Sequence, residues 1–301
     1  MNLPSVLTIG NFDGLHLGHQ QLLQKVVDLA QAKCLQSVVI TYKDHPAFVL
    51  RAHPLPKMLC PVIIKQQELL KLGIDKIELL EFTPDLAKTP PLKFLKDYII
   101  PQFHPQIIVM GYDSHFGHLR QGNYEFLCKH SAELGYKVAY VEPYLYEGQP
   151  VSSSLIRNLL SAGKIETANK LLGRPYRLIG KVEHSYAKGR KIGFPTANLN
   201  LLYPHQLIPH NGIYLSKAFY QEKVFFGLTN IGISPTLKNT GKIEIETHLL
   251  DFNGDLYGET LELDLLRYIR EEKMFKSIDD LKKAIQNDIN LARTLLSEDS
   301  K

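Results

Sequence analysis

The run from Thr8 to Leu23, TIGNFDGLHLGHQQLL, constrains this chain more than any other stretch. An apolar strand over residues 6–9 passes through a turn of small residues, and a helix opens at His16-Leu17-Gly18-His19. Backbone N–H groups and the dipole at a helix start favour an anion. Imidazoles can donate hydrogen bonds to phosphate oxygens, and Gly18 allows a ligand close to the backbone. The expectation is a nucleotide phosphate held over the first strand–helix turn of an α/β sheet. A histidine near a helix start is more often a cap or a solvated side chain. The H-x-G-H spacing after a strand and an Asn-Phe-Asp-Gly turn favours the phosphate reading.

The rest of the first half repeats this alternation. Apolar runs at 37–42, 77–80, 107–110 and 137–141 read as strands, and 62–72, 89–98 and 125–134 read as helices. Uninterrupted apolar strands between helices predict a parallel, doubly wound sheet with ligands beyond the strand C-termini. Two short helices follow at 154–160 and 164–172. From residue 176 the chain turns to strands at 176–184, 212–219, 223–231, 243–249 and 260–268, the pattern of a compact β-barrel. A helix over 277–296 closes the chain, capped by Ser277 with Asp280 and carrying an apolar stripe of Ile278, Leu281, Ile285 and Ile289. The expected domains are 1–173 and 174–301, because Gly173-Arg174-Pro175 breaks the pattern. A length of 301 residues suits two cores.

Composition narrows the function classes. A net charge of +4 suits anionic small molecules and does not call for nucleic acid. Three separated cysteines with no C-x-x-C pair fit a reducing compartment. No apolar run approaches a membrane span, and the strand beginning just after Met1 leaves no room for a signal peptide. The expected location is cytoplasmic, without a membrane or nucleic-acid partner; oligomeric state is not legible.

Three further stretches carry chemistry. In VSSSLIR (151–157), three hydroxyls precede a helix bearing Arg157. Each serine alone reads best as an N-cap; Ser152, Ser153, Ser154 and Arg157 together fit an anion clamp. In KGRKIGFPTAN (188–198), two glycines and Lys188, Arg190 and Lys191 suit phosphate, while Thr196 and Asn198 offer oxygens to Mg²⁺; a basic surface hairpin is the plainer alternative. No G-x-x-x-x-G-K-[ST] occurs. Glu244 and Glu246 share one face of a predicted strand, where paired acids are usually just solvated.

These strings resemble one family in order. H-x-G-H and Ser-Ser-Ser-x-x-Arg are similar to the nucleotidylyltransferase signatures. GYDSHFG (111–117) resembles a G-x-D-F-x-F-G loop, with Asp113 as the matching acid. P-T-A-N and Glu246-Thr247-His248 resemble riboflavin kinase signatures. Asn230-Ile231-Gly232, Leu256-Tyr257-Gly258 and the 270–275 stretch resemble further strings of that kinase. The resemblance covers residues 6–289 and points to the prokaryotic bifunctional riboflavin kinase/FMN adenylyltransferases. It implies phosphorylation of riboflavin to FMN with ATP, then adenylylation of FMN to FAD with a second ATP, with Mg²⁺. It implies ATP contacts from Gly10, Asn11, Phe12, Asp13, Gly18, Ser152, Ser153, Ser154, Arg157, Lys188, Gly189 and Arg190. Flavin contacts fall on Asp113, Asn230, Arg270 and Glu272, metal contacts on Thr196 and Asn198, and catalytic roles on His16, His19 and Glu246. The chain departs from the family's usual residues at Asp44 (Pro), Ser114 (Phe) and Ser185 (Gly). A single-activity enzyme, another nucleotidylyltransferase with an unrelated β-domain, and a non-enzymatic flavin-binding module remain open at this stage.

Overall fold

The computed structural model describes residues 3–50, 54–183, 192–233 and 243–298. The chain divides into two compact units, Met1–Leu155 and Ile156–Lys301.

In the first unit, β1 (Ser5–Ile9), β2 (Gln36–Tyr42), β3 (Lys76–Leu80), β4 (Pro105–Gly111) and β5 (Lys137–Val141) form one sheet in the order β3-β2-β1-β4-β5. Every pair is parallel; a short antiparallel ladder of β6 (Leu145–Tyr146) and β7 (Gln149–Pro150) follows. The expected doubly wound sheet is what the chain forms. β1 and β4 are neighbours, and the connection leaving β1 runs one way to β2 while that leaving β4 runs the other way to β5. That is a topological switch point, where such sheets bind ligands. Helix α1 (Leu17–Lys33) buries Leu22, Leu23, Val26, Val27 and Ala30, the stripe read from its period. Leu7, Ile9, Val38, Ile40, Ile108 and Met110 belong to one apolar cluster with Phe94, Leu95 and Ile99.

The single helix expected at 89–98 is instead a broken run. Helices at Pro84–Lys88 and Pro91–Phe94 are separated by the Thr89-Pro90 break, and Leu95–Ile99 winds as a π-turn. Pro101 has no N–H to donate to the carbonyl four residues back. The ladder slips so that the Ile100 N–H reaches the Leu95 carbonyl.

In the second unit, β8 (Tyr176–Glu183), β9 (Ala197–Leu201), β10 (Gly212–Tyr220), β11 (Lys223–Ile233), β12 (Ile243–Leu249) and β13 (Thr260–Arg270) close a barrel in the order β10-β11-β12-β9-β8-β13. The sequence pattern predicts five strands here. The sixth, β9, lies in the stretch read as a loop, with Ala197 and Leu199 facing inward in alternation. Along β12, Ile245, Thr247 and Leu249 are buried while Glu244, Glu246 and His248 are half-exposed on the other face. Inside, Thr229 Oγ1 lies 2.8 Å from Ser216 Oγ and 2.9 Å from Thr247 Oγ1, so buried hydroxyls satisfy one another.

The helix Ile165–Leu172 buries Ile165, Ala168, Leu171 and Leu172. Asn169 Nδ2 donates to the Leu265 carbonyl at 2.8 Å, and its Oδ1 accepts from the Tyr176 N–H at 2.8 Å. This helix therefore packs with the barrel, although the pattern change lies at Gly173. Ser277 Oγ accepts the Asp280 N–H at 3.1 Å at the start of the closing helix Ile278–Glu298. Ile285, Ile289 and Ala292 meet Leu215 and Leu228 of the barrel. Ile278, placed on the same stripe, is 62 % exposed because it sits in the first turn, ahead of the contact.

Candidate functional site

The β1–α1 loop makes the floor of the first site. Gly14 has a left-handed backbone (φ 89°), and so do the non-glycine residues Phe12 (φ 49°) and Leu15 (φ 48°). Such conformations persist only where neighbours over-determine them. Asp13 is buried, and its Oδ1 accepts from the Leu59 and Cys60 N–H groups at 2.9 and 3.0 Å. The Asp13 carbonyl accepts from Ser153 Oγ at 2.8 Å. The Asp13 carboxylate thus fastens the loop. At Gly10 a Cβ would lie 2.8 Å from the Phe12 ring, so the fold of the turn requires glycine there.

His16 is the N-cap of α1, its Nδ1 accepting from the His19 N–H at 3.3 Å. An accepting Nδ1 leaves the proton on Nε2. The His16 and His19 rings stack with centroids 3.7 Å apart, and Phe12 sets its edge to His19 at 5.3 Å. Burial pushes the His16 pKa down to about 4, against a weaker upward pull from a backbone hydrogen bond. His19 is also pushed well below the usual imidazole range, first by burial, then by His16 and Lys65. Among the described residues, His19 Nδ1 is buried without a hydrogen-bond partner. His16 therefore caps the helix and also lines a cavity.

That cavity, of about 940 Å³, lies beyond the C-terminal ends of β1, β2, β4 and β5. Gly10, Asn11, Phe12, Asp13, His16, Gly18, His19, Asp113 and Ser153 line it. Tyr42, Phe82, Tyr112, Phe116 and Leu119 add an apolar wall. Ser152 caps the helix Ser153–Ser161 by accepting the Leu155 N–H at 3.2 Å, and Ser154 is exposed. Arg157 lies one turn further along that helix, in the second compact unit. Ser114, where the family has Phe, accepts the Gly111 N–H with its hydroxyl at 3.2 Å and so closes its own loop. Asp44 is exposed beyond β2.

Lys65 was not anticipated. It sits on the helix Val62–Lys71 and is buried, with Nζ 2.8 Å from the Asn11 carbonyl, 3.1 Å from the Tyr42 carbonyl and 3.3 Å from Thr41 Oγ1. The available signal was a lysine among the buried positions Ile64 and Leu69 of an amphipathic helix.

In the barrel, strand register gathers the second set. Glu246 of β12 is directly opposite Asn198 of β9 on one side and Asn230 of β11 on the other. Lateral neighbours in a sheet point to the same face, so the three form a row; Glu183 of β8 extends it, opposite Asn198. Glu244 has no partner on β9, whose register with β12 spans Glu246 and Thr247. Thr196 lies immediately before β9, lining a cavity of about 220 Å³ with Thr247, Asp255 and Tyr257. His248 Nδ1 lies 2.8 Å from the Pro195 carbonyl and ties β12 to the Pro-Thr-Ala-Asn segment. Asn230 Nδ2 donates to Glu272 Oε1 at 3.2 Å. The Arg270 guanidinium, expected at flavin, is occupied by Asp288 of the closing helix (2.7 Å) and by the Glu271 carbonyl (2.9 Å). Lys188, Gly189, Arg190, Lys191 and Ser185 lie outside the described residues.

Comparison with known proteins agrees with both halves. The FAD synthetase family model matches residues 1–155, and the riboflavin kinase model matches residues 172–296. A bifunctional riboflavin kinase/FMN adenylyltransferase of Buchnera aphidicola subsp. Schizaphis graminum is 36% identical over 97% of this chain and 94% of its own. Its counterpart in Listeria monocytogenes is 33% identical over 95% and 91%. A crystal structure from Streptococcus pneumoniae, described as a macrolide-efflux protein, superposes with a TM-score of 0.87 at 30% identity, covering 96% of this chain and 94% of that one. Among the described residues of this chain, no helix is long and apolar enough to cross a membrane. The chain belongs to the family of bifunctional riboflavin kinase/FMN adenylyltransferases.

Proposed function

We propose that the chain makes FMN from riboflavin and FAD from FMN, one step in each half, with ATP as the donor in both. The observation that carries this is the pair of stacked histidines lining a switch-point cavity, joined in one chain to a barrel whose register aligns Asn198, Glu246 and Asn230. Residues 1–173 serve adenylyl transfer, Ser152, Ser153 and Ser154 included, and 174–301 serve the kinase. The protein acts in the cytoplasm on small molecules, without nucleic-acid or membrane partners.

Adenylyl transfer needs no general base, because the nucleophile is the phosphate of FMN. Charge builds on the α-phosphate and the departing pyrophosphate. His16 and His19 are held neutral, so they act as hydrogen-bond donors rather than as fixed cations. The apolar wall of Tyr42, Phe82 and Phe116 suits a flat ring system.

Phosphorylation of riboflavin starts from a neutral hydroxyl, and Glu246 accepts its proton as the phosphoryl group arrives. Thr196 and Asn198 offer the hard oxygen donors that Mg²⁺ takes, and Glu183 lies opposite Asn198 in the ladder. Among the described residues no cluster of three His, Cys, Asp or Glu could hold a metal alone. When bound, Mg²⁺ would neutralise phosphate charge.

The test is incubation of the purified chain with riboflavin, ATP and Mg²⁺ and separation of the flavins. FMN followed by FAD is expected. FMN alone, or bound riboflavin without turnover, would refute the bifunctional reading.

A further inference from the structure

We propose that Lys65 is a positioning residue for adenylyl transfer, its buried ammonium clamping the phosphate loop to the end of β2; this rests on the proposed function of the first unit.

A protonated lysine has three hydrogens to donate. Lys65 directs them to the Asn11 carbonyl, Thr41 Oγ1 and the Tyr42 carbonyl. With all three engaged, it neither reaches substrate nor acts as a nucleophile. Thr41 Oγ1 in turn donates to the Asn11 carbonyl at 3.1 Å. One carbonyl of the β1–α1 loop thus takes two bonds, both tied to β2 through Lys65 and Thr41.

The loop needs such a hold. Phe12, next in chain to Asn11, and Leu15, next to His16, both have left-handed backbones. Relaxation at either would move the Phe12 ring and the His16 ring that stacks on His19. Asp13 is fastened separately, to the Leu59 and Cys60 N–H groups. Asn11 is the loop residue that Lys65 holds, and both Asn11 and Tyr42 line the cavity.

Burial in apolar surroundings lowers the lysine's proton affinity, while Cys60, Asp13 and Asp44 raise it. An anionic nucleotide bound nearby would add to the second effect and favour the charged form. A neutral side chain of similar length would leave the Asn11 and Tyr42 carbonyls short of a buried donor.

The experiment compares K65M, T41V and T41S with the wild-type chain. FAD formation from FMN is measured at saturating ATP and as a function of ATP; urea unfolding of each variant is the folding control, and riboflavin phosphorylation by the same sample reports the other half. A displacement on the order of 1 Å in a reacting site can cost about 10²-fold in rate. K65M is therefore expected to lose about 10²-fold in kcat for adenylyl transfer, with a smaller change in KM for ATP and wild-type phosphorylation. T41V, which removes the hydroxyl at nearly constant volume, should lose about tenfold, and T41S should recover it. Wild-type kcat in K65M or T41V overturns the clamp, as does a T41S no better than T41V. If K65M does not fold, the Thr41 pair decides alone. A wild-type chain that makes no FAD overturns the proposed function of this unit, and the clamp with it.

Discussion

His16 and His19 stack with their ring planes 17° apart, and the Nδ1 of the first accepts the backbone N–H of the second. One contact thus caps α1 and fixes which nitrogen of His16 carries its proton. Each ring packs against the other, so the loss of either removes a contact of its neighbour.

His19→Ala should therefore abolish most FAD formation while FMN accumulates. Loss of a preorganised donor at a developing anion typically costs about 10²–10³ in kcat. Chromatographic separation of the flavins measures it. Equal loss of both products in a folded variant would refute the assignment.

The same pair makes the first unit acid-labile. In the unfolded chain a histidine titrates near 6.5, whereas folded His16 titrates near 4. Between these values the unfolded state binds more protons, so stability is fully present above the upper value and is lost as pH falls toward the lower. His16 contributes roughly 2 kcal/mol of loss between about pH 7 and about pH 5, and His19 acts in the same direction. Urea unfolding at the two pH values tests this. His16→Asn, which can still cap the helix, should flatten the dependence; an unchanged slope would contradict it.

On the barrel, Glu246→Gln should slow riboflavin phosphorylation by about 10²–10⁴-fold. Adenylylation of supplied FMN should continue. Glu244→Gln is the control, because Glu244 has no partner on β9 while Glu246 faces Asn198. If Glu244→Gln is the crippled variant, Glu246 is not the base.

Asn198→Ala should raise the Mg²⁺ and ATP needed for phosphorylation, read from metal titrations of initial rate. Coincident titration curves for variant and wild type would remove Asn198 from the metal site. Adenylyl transfer, served by residues of the other half, supplies the internal reference.

Asp13→Ala should destabilise the first unit even without substrate. The Leu59 and Cys60 N–H groups would lose the carboxylate they share, at about 1–3 kcal/mol for each buried group left unpaired. Thermal unfolding measures it. An unchanged midpoint would mean that both N–H groups find other acceptors.

Local chemistry made much of this protein legible in its sequence. Apolar runs between helical stripes required a parallel sheet, because strands covered on both faces must be apolar throughout. The H-x-G-H stretch marked a helix start, and Ser277 with Asp280 marked another, because caps are settled within one turn. The strand after Pro195-Thr196 escaped notice, since five residues of weak alternation gain their identity only by pairing with β8 and β12. Tertiary structure alone decided where the charged groups turn. Asp13 faces two backbone N–H groups 46 and 47 residues away, and Arg270 is taken up by Asp288 of the closing helix. Lys65 lies beneath a loop 54 residues before it. The row of Asn198, Glu246 and Asn230 exists only through cross-strand register, which no segment encodes by itself. Burial and pairing depend on what arrives from elsewhere in the chain, whereas periods and caps are completed by near neighbours.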